Sequence, residues 1–417
     1  LMAVVSGGAH VHSHASGMAL ELYGAGHVLG TAAGKGTYTT DDHENHRRLF
    51  AAYNSVIVNG ASRSDGGWVN LGINTVEKVV LEPAVGAAPV SPHHSFTLTR
   101  FADDRGPGAK AQQERLVGLV RTSATTGYYV DVFRSRSALP EQFHDYLYHN
   151  IGDSLALATT DGPLKLADSP NRFLPVAGAK WDRNRSYLFP GWHVFKAAKS
   201  SSPFPGDVSA LFTASKLEPS PSSMRLFIPG AEGREYSQAL APVTKEASAP
   251  YDHAPTPVLV IRQRGEAWTR PFTVVFEPFA GDEKSGGVQS ATALRGPAGF
   301  AGFKVMSKVN GATLTQYVLV QPEATSAWAD EKLGLTFTGR YAVVTLNDRN
   351  ECTALYLGEG SSLAYHGATL RSASGAPTAA ATDLSGAQLT VTANAPAELI
   401  LPGGRRVVTP NRSTRSF

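Results

Sequence analysis

Short alternating runs of apolar and polar residues, bounded by Gly, Pro, Asn or Asp, recur from one end of the chain to the other. They fall at Ala19 to Tyr23, Ser55 to Asn59, Ser95 to Arg100, Tyr128 to Phe133, Ser154 to Thr159, Met224 to Ile228, Val258 to Arg262, Phe272 to Phe276, Leu314 to Val320, Tyr341 to Leu346 and Ala397 to Leu401. A period of two turns one side of each run toward a core, which predicts β-strands. Helical periodicity is nearly absent. Strand after strand without interleaved helices argues against βαβ units and predicts an all-β chain, built as an antiparallel β-sandwich domain followed by a smaller β-domain. The polar, glycine-rich stretch from Phe279 to Gly287 follows a strong strand and suggests the division, with the sandwich over 1–290 and the smaller domain over 291–417. The basic tail from Arg405 onward is expected to fray.

Composition narrows the function classes. With 42% hydrophobic against 18% charged residues, the chain has the balance of a globular protein. No apolar run approaches the roughly 18 residues of a membrane-spanning helix, so no membrane partner is expected. The net charge of +3 is scattered without a basic cluster, which removes nucleic acid as a partner. A single cysteine, Cys352, excludes an intrachain disulfide framework and Cys-based zinc fingers. The opening Leu1-Met2-Ala3-Val4-Val5-Ser6 lacks the charged stretch and long apolar run of a secretory leader, so the chain reads as a mature fragment or as part of a longer polypeptide.

The densest chemistry lies in residues 6 to 60. Read as a strand, His10, His12 and His14 alternate onto one face at intervals of roughly 6 to 7 Å. Such a row is either a solvated histidine-rich segment or a metal or acid/base cluster. The run Asp41-Asp42-His43-Glu44-Asn45-His46 reads first as a polar turn. Gly34-Lys35-Gly36-Thr37 fails as a phosphate loop, because its spacing to Gly30 is one residue short and Gly36 stands at the Ser/Thr position. Farther on, strand alternation sends His144, Tyr146, Tyr148 and Asn150 to one face, either a sugar-binding surface or a plain sheet covering.

On these residues the chain resembles the heparinase II/III-like polysaccharide lyases, which include alginate lyases. Setting His12 and His14 on the two histidines of the family's His-Gly-His-x-Asp pattern brings Leu20, Glu21, Leu22, Tyr23, Gly26, Leu29, Gly34 and Tyr38 into register without a gap. Arg48 then falls on the family arginine, and Asn54-Ser55-Val56-Ile57-Val58-Asn59-Gly60 on its Asn-Thr-Val strand. Val130-Asp131-Val132-Phe133-Arg134 and His144-Asp145-Tyr146 look like later family strands.

The resemblance implies a lyase that removes the C5 proton of a uronic acid and expels the C4 oxygen, with alginate favoured and a glycosaminoglycan as the alternative polymer. It implies His12 and Tyr38 as catalytic residues. His10, His14, Arg48, Tyr53 and Asn54 are expected along the substrate cleft, with His144 and Tyr146 as a second binding surface. The family's zinc ligands fall on His14, Ala32 and Tyr53, so two of three are lost and neither metal nor cofactor is expected. A helical (α/α) toroid, absent from this chain, is expected as a partner supplying the rest of the active site, and the location as secreted or periplasmic in a bacterium. A non-catalytic carbohydrate-binding or assembly module with the same fold is the competing reading.

Overall fold

A computed structural model describes residues 1–7, 14–60, 76–103, 110–140, 142–174, 190–281, 286–386, 388–410 and 413–416. All eleven predicted runs are strands, and among the described residues helix is confined to single turns such as His43–Arg47 and Phe50–Ala52. The chain forms two compact units. The first comprises Leu1–Val79, Leu98–Val117 and Tyr129–Gly286; the second comprises Val80–Thr97, Gly118–Tyr128 and Gly287–Phe417.

The first unit is the sandwich. One of its sheets has the strands Ser222–Ile228, Ala267–Ala280, Gly127–Ser137 and Ala111–Arg121 at its centre. The other runs from Ala167–Asp168 through Lys196–Ser200, Glu235–Val243, Pro255–Arg264 and Phe143–His149 to Val56–Val58. All the pairings are antiparallel. Their inner faces interlock through aromatic rings: Tyr146 packs on Phe272, and Tyr148 on Phe212 and Phe276, at centroid distances of 5.5, 5.5 and 4.7 Å. Tilted and edge-on contacts of this kind add to the burial of the rings themselves.

Strand Gly127–Ser137 is buried on both faces, which is why Tyr128 to Phe133 reads as an almost unbroken apolar run. Asp131 is the exception, and Arg115 accounts for it. Both side chains have no exposure, and the guanidinium reaches the carboxylate through Nε at 2.9 Å and a terminal nitrogen at 2.6 Å. The other terminal nitrogen donates to the carbonyls of Met18 (2.7 Å) and Asn54 (2.6 Å). Tyr146 adds its hydroxyl to Asp131 at 2.7 Å.

The face of Phe143–His149 predicted for sugar binding is this interior. His144 is fully buried between Ser135 Oγ and Gln142 Oε1, both at 2.9 Å, and Tyr146 is fully buried on Asp131. The alternation in the sequence holds, but a second sheet covers the face, so these two side chains hold the sandwich and offer no surface to a ligand.

In the second unit Leu335–Leu346 and Cys352–Tyr365 form a long central hairpin over a core that includes Leu319, Phe337, Val344, Leu357, Leu370 and Leu399. The tail does not fray as expected. Arg406–Thr409 pairs with Ala397–Ile400, and Ser413–Ser416 with Thr390–Ala393, so backbone hydrogen bonds tie it down.

Truncating Asp131→Ala leaves the Arg115 charge buried without its partner, and is expected to cost about 3–5 kcal/mol. Tyr146→Phe, which removes one hydrogen bond to the same carboxylate, costs about 1 kcal/mol. Urea unfolding of the two variants against the parent checks the ranking; equal losses would contradict it.

Candidate active site

His14, Tyr38, Arg48 and Tyr53, separated by up to 39 residues in the chain, meet around the helical turn His43–Arg47. The turn is wound wide, with the Arg48 amide donating to the His43 carbonyl five residues back at 3.2 Å. Thr40 opens it: its carbonyl accepts from the Glu44 amide at 3.0 Å and its hydroxyl from the His43 amide at 3.3 Å. Two glycines let the neighbouring segments approach. At Gly36 a Cβ would lie 2.8 Å from the His43 Cβ, and at Gly17, with φ of +57°, one would lie 2.8 Å from the Phe50 ring.

Arg47 fastens the turn to its surroundings. It pairs with Asp42, donates to the Ala33 carbonyl, and reaches the Val243 carbonyl at 3.0 Å. Arg48 is fully buried and pairs with Glu44 at 2.8 Å, one helical turn away. The expected polar turn at Asp41 to His46 is therefore buried from His43 onward, with Asp41 left exposed. Arg47 and Arg48 are covered because they find partners within the segment and on the carbonyls around it.

The rings form a row. Exposed Tyr38 stands edge-on to His43 at 4.8 Å, and His43 stands edge-on to His14 at 5.6 Å. His14 Nδ1 is hydrogen-bonded to the Tyr53 hydroxyl, which donates in turn to the Arg47 carbonyl at 3.0 Å. A carbonyl only accepts, so the Tyr53 proton points to Arg47 and the Nδ1 proton of His14 to Tyr53. The lone pair of His14 then sits on Nε2.

Burial, with His43 and the Arg48 charge beside it, lowers the His14 pKa to about 4. Burial lowers His43 as well, and it pushes the Tyr53 hydroxyl well above its ordinary range with the help of the Glu21 carboxylate. At neutral pH the two imidazoles of the row are uncharged, beside two guanidinium groups that are each paired with a carboxylate. The imidazoles can accept and return a proton.

Asn54 lies one residue on and is fully buried, so it acts as a brace. Its amide donates to the Leu20 carbonyl at 2.9 Å, and its oxygen accepts from the His149 amide (2.6 Å) and His149 Nδ1 (3.0 Å). Arg48 likewise is a buried brace, where the sequence suggested a direct substrate contact. His10 and His12 lie outside the described residues. Sequence reading placed His43 in a polar run without joining it to Tyr38 and His14, and it did not single out Arg47; the Glu44 to Arg48 spacing of four was the available signal for a helical turn there.

The zinc implied by the resemblance does not fit these residues. His14 Nδ1 is engaged by the Tyr53 phenol, and position 32 offers only the methyl group of Ala32. Among the described residues no three His, Cys, Asp or Glu side chains are grouped to hold a metal ion.

The chain is 37% identical over 381 residues to an endo-acting ulvan lyase of Formosa agariphila, an alignment spanning 89% of this chain and 45% of the relative. Residues 288–383 match the endo-acting ulvan lyase C-terminal domain. These matches make the chain similar to polysaccharide lyases with C-terminal β domains. It spans about half the length of the curated relative it matches. Among solved structures the chain is similar to heparan sulfate lyase HepC from Pedobacter heparinus, at 10% identity over 82% of this chain and 36% of that one, with a TM-score of 0.34. It is also similar to a heparinase III, at 13% identity over 72% and 35% of the two chains, with a TM-score of 0.34.

Buried neutral histidines give the first unit an acid limit. Burial lowers His46 and His144 to about 4 and His149 to about 3, against 6.5 when unfolded. Between those values the unfolded chain binds protons that the folded one refuses, so stability is intact above about pH 6.5 and falls as the pH drops toward 4. At pH 5 each such histidine withdraws about 2 kcal/mol at most. Urea midpoints measured from pH 7 to 4.5 should fall, and less steeply in His46→Gln; equal slopes would contradict the assignment.

Proposed function

We propose that this chain is the β-sheet portion of a lyase that cleaves a uronic-acid polysaccharide by β-elimination, with ulvan as the polymer in place of alginate. The choice of ulvan is supported by the 37% identity to a relative named as an endo-acting ulvan lyase, ulvan being a uronic-acid polysaccharide. The single observation that carries the chemistry is the exposed Tyr38 standing edge-on to the uncharged ring of His43, with His14 behind that ring.

In the reaction the C5–H bond breaks, its electrons form the C4–C5 double bond, the C4–O bond breaks, and the departing oxygen takes up a proton. The C5 proton is weakly acidic, so the transition state needs a nearby group to receive it and donors or charge to offset the enolate. Tyr38 is the member of the row that reaches a sugar. His43 and His14, held uncharged, take up and return the proton behind it. Arg47 and Arg48, each paired with a carboxylate, hold the row in place from buried positions. The remaining donors around the carboxylate belong to the part of the whole protein that this chain does not span, for which a helical toroid is our candidate. A polymer outside the cell suits a secreted or periplasmic enzyme.

With the full-length protein, ulvan should give the near-ultraviolet absorbance of an unsaturated uronate faster than alginate does. Tyr38→Phe should lower that rate by about a hundredfold or more. Near-full activity in Tyr38→Phe would remove Tyr38 from the chemistry. Saccharide binding by the parent protein without any absorbance change would favour the non-catalytic module.

A further inference from the structure

The second unit holds a cavity of about 350 Å³ that the proposed chemistry does not use. That is room for roughly one or two pyranose rings, within the size range of small-ligand sites. Its floor is aromatic: the His94 and Tyr356 rings lie 4.8 Å apart, tilted by 34°, and both are buried. Its lining is also polar, with Thr345, Asn347, Thr390 and Asp383 among the residues around the space.

One cation stands at the rim. The Arg121 guanidinium is held by the Ala124 carbonyl at 3.0 Å and the Pro92 carbonyl at 3.4 Å. Only two of its five N–H donors are used in these bonds. The turn that carries it is stiffened by its own hydroxyls. Thr122 and Thr126 meet at 2.8 Å and Ser123 and Thr126 at 2.7 Å, and the Ser123 hydroxyl accepts the amides of Thr125 (3.1 Å) and Thr126 (3.0 Å). Asp383 is committed through one oxygen to the amide and hydroxyl of Ser385, at 2.9 and 2.6 Å, which leaves its other oxygen to accept from a ligand hydroxyl.

We infer that this cavity is a second saccharide site, taking an acidic sugar unit whose ring lies against His94 and Tyr356 and whose carboxylate or sulfate pairs with Arg121. The choice of an acidic saccharide rests on the proposed polysaccharide substrate; the cavity, its aromatic floor and its fixed guanidinium do not. A planar fork with unused donors matches either anion in two-point contact. Threonine hydroxyls and one carboxylate oxygen suit the remaining sugar hydroxyls. Binding here would hold the polymer without contributing to bond cleavage.

The test uses the full-length protein with Tyr38→Phe, so that added saccharide is not consumed, and threonine methyl NMR as a local reporter. Ulvan oligosaccharides of about four sugars should shift the methyl signals of Thr345 and Thr390, and a neutral glucose oligomer should shift them far less. Arg121→Gln, at an exposed position, should weaken the ulvan-induced shift at least tenfold in apparent Kd. It should leave the elimination rate on short oligosaccharides unchanged in an otherwise native protein. Tyr356→Phe, whose buried hydroxyl has no hydrogen-bond partner, should bind like the parent. Turnover of ulvan without movement of these methyl signals, or with movement indifferent to Arg121→Gln, overturns the second site. Methyl shifts in a protein that never produces unsaturated uronate would sustain the site and overturn the lyase reading.

Discussion

The buried pair of Arg115 and Asp131 is the constraint on which the rest of the first unit depends. A guanidinium taken wholly out of water is tolerable only when its donors are matched, and here the carboxylate takes two contacts while the Met18 and Asn54 carbonyls take two more. One side chain thus ties two central strands to the segment leading away from His14 and to the residue after Tyr53. Asn54, fixed in this way, carries the order onward to His149 and Leu20. The candidate site is irregular in backbone, and it inherits its precision from a sheet that is not.

A second layer of control is the suppression of charge on imidazole. His14, His46, His144 and His149 are each held uncharged at neutral pH chiefly by burial. The same cause serves different ends. At His144 and His149 it lets polar side chains with defined partners fill the sandwich and its cover. At His14 it leaves an uncharged ring within the candidate site. A direct bond to Tyr53 orients the ring and decides which nitrogen bears the lone pair.

Much of the fold was legible because strand alternation is local and the chain has few competing signals. Ser154–Thr159 was read to the residue, and the central runs differed only at their ends, where the strands of a large sheet continue into polar residues. The site was legible in part: His14, Tyr38, Arg48 and Tyr53 do meet. Burial was the hidden variable. Alternation correctly grouped His144 with Tyr146, yet a period of two cannot say which side meets a second sheet. Six polar residues from Asp41 to His46 resemble a surface turn unless the Arg47 contacts to Ala33 and Val243, distant in sequence, are known. The tail beyond Arg405 looked free for the same reason, since its partners lie in strands that it must find across the chain.

Each unit is assembled from three separated stretches of the sequence, and this bears on how the molecule is made. The strand Ala267–Ala280 sits between Ser222–Ile228 and Gly127–Ser137 in the middle of its sheet. The sheet's centre therefore cannot close during synthesis until about two-thirds of the chain has left the ribosome. Until then Gly127–Ser137 presents an apolar edge with no neighbour on one side, the kind of intermediate on which aggregation feeds. Slow, late closure of non-local strand pairs is the folding cost of such a topology. It also means that a cut between the last residue of one unit and the first of the other yields no intact half, because residues 80–97 and 118–128 would remain with the wrong partner.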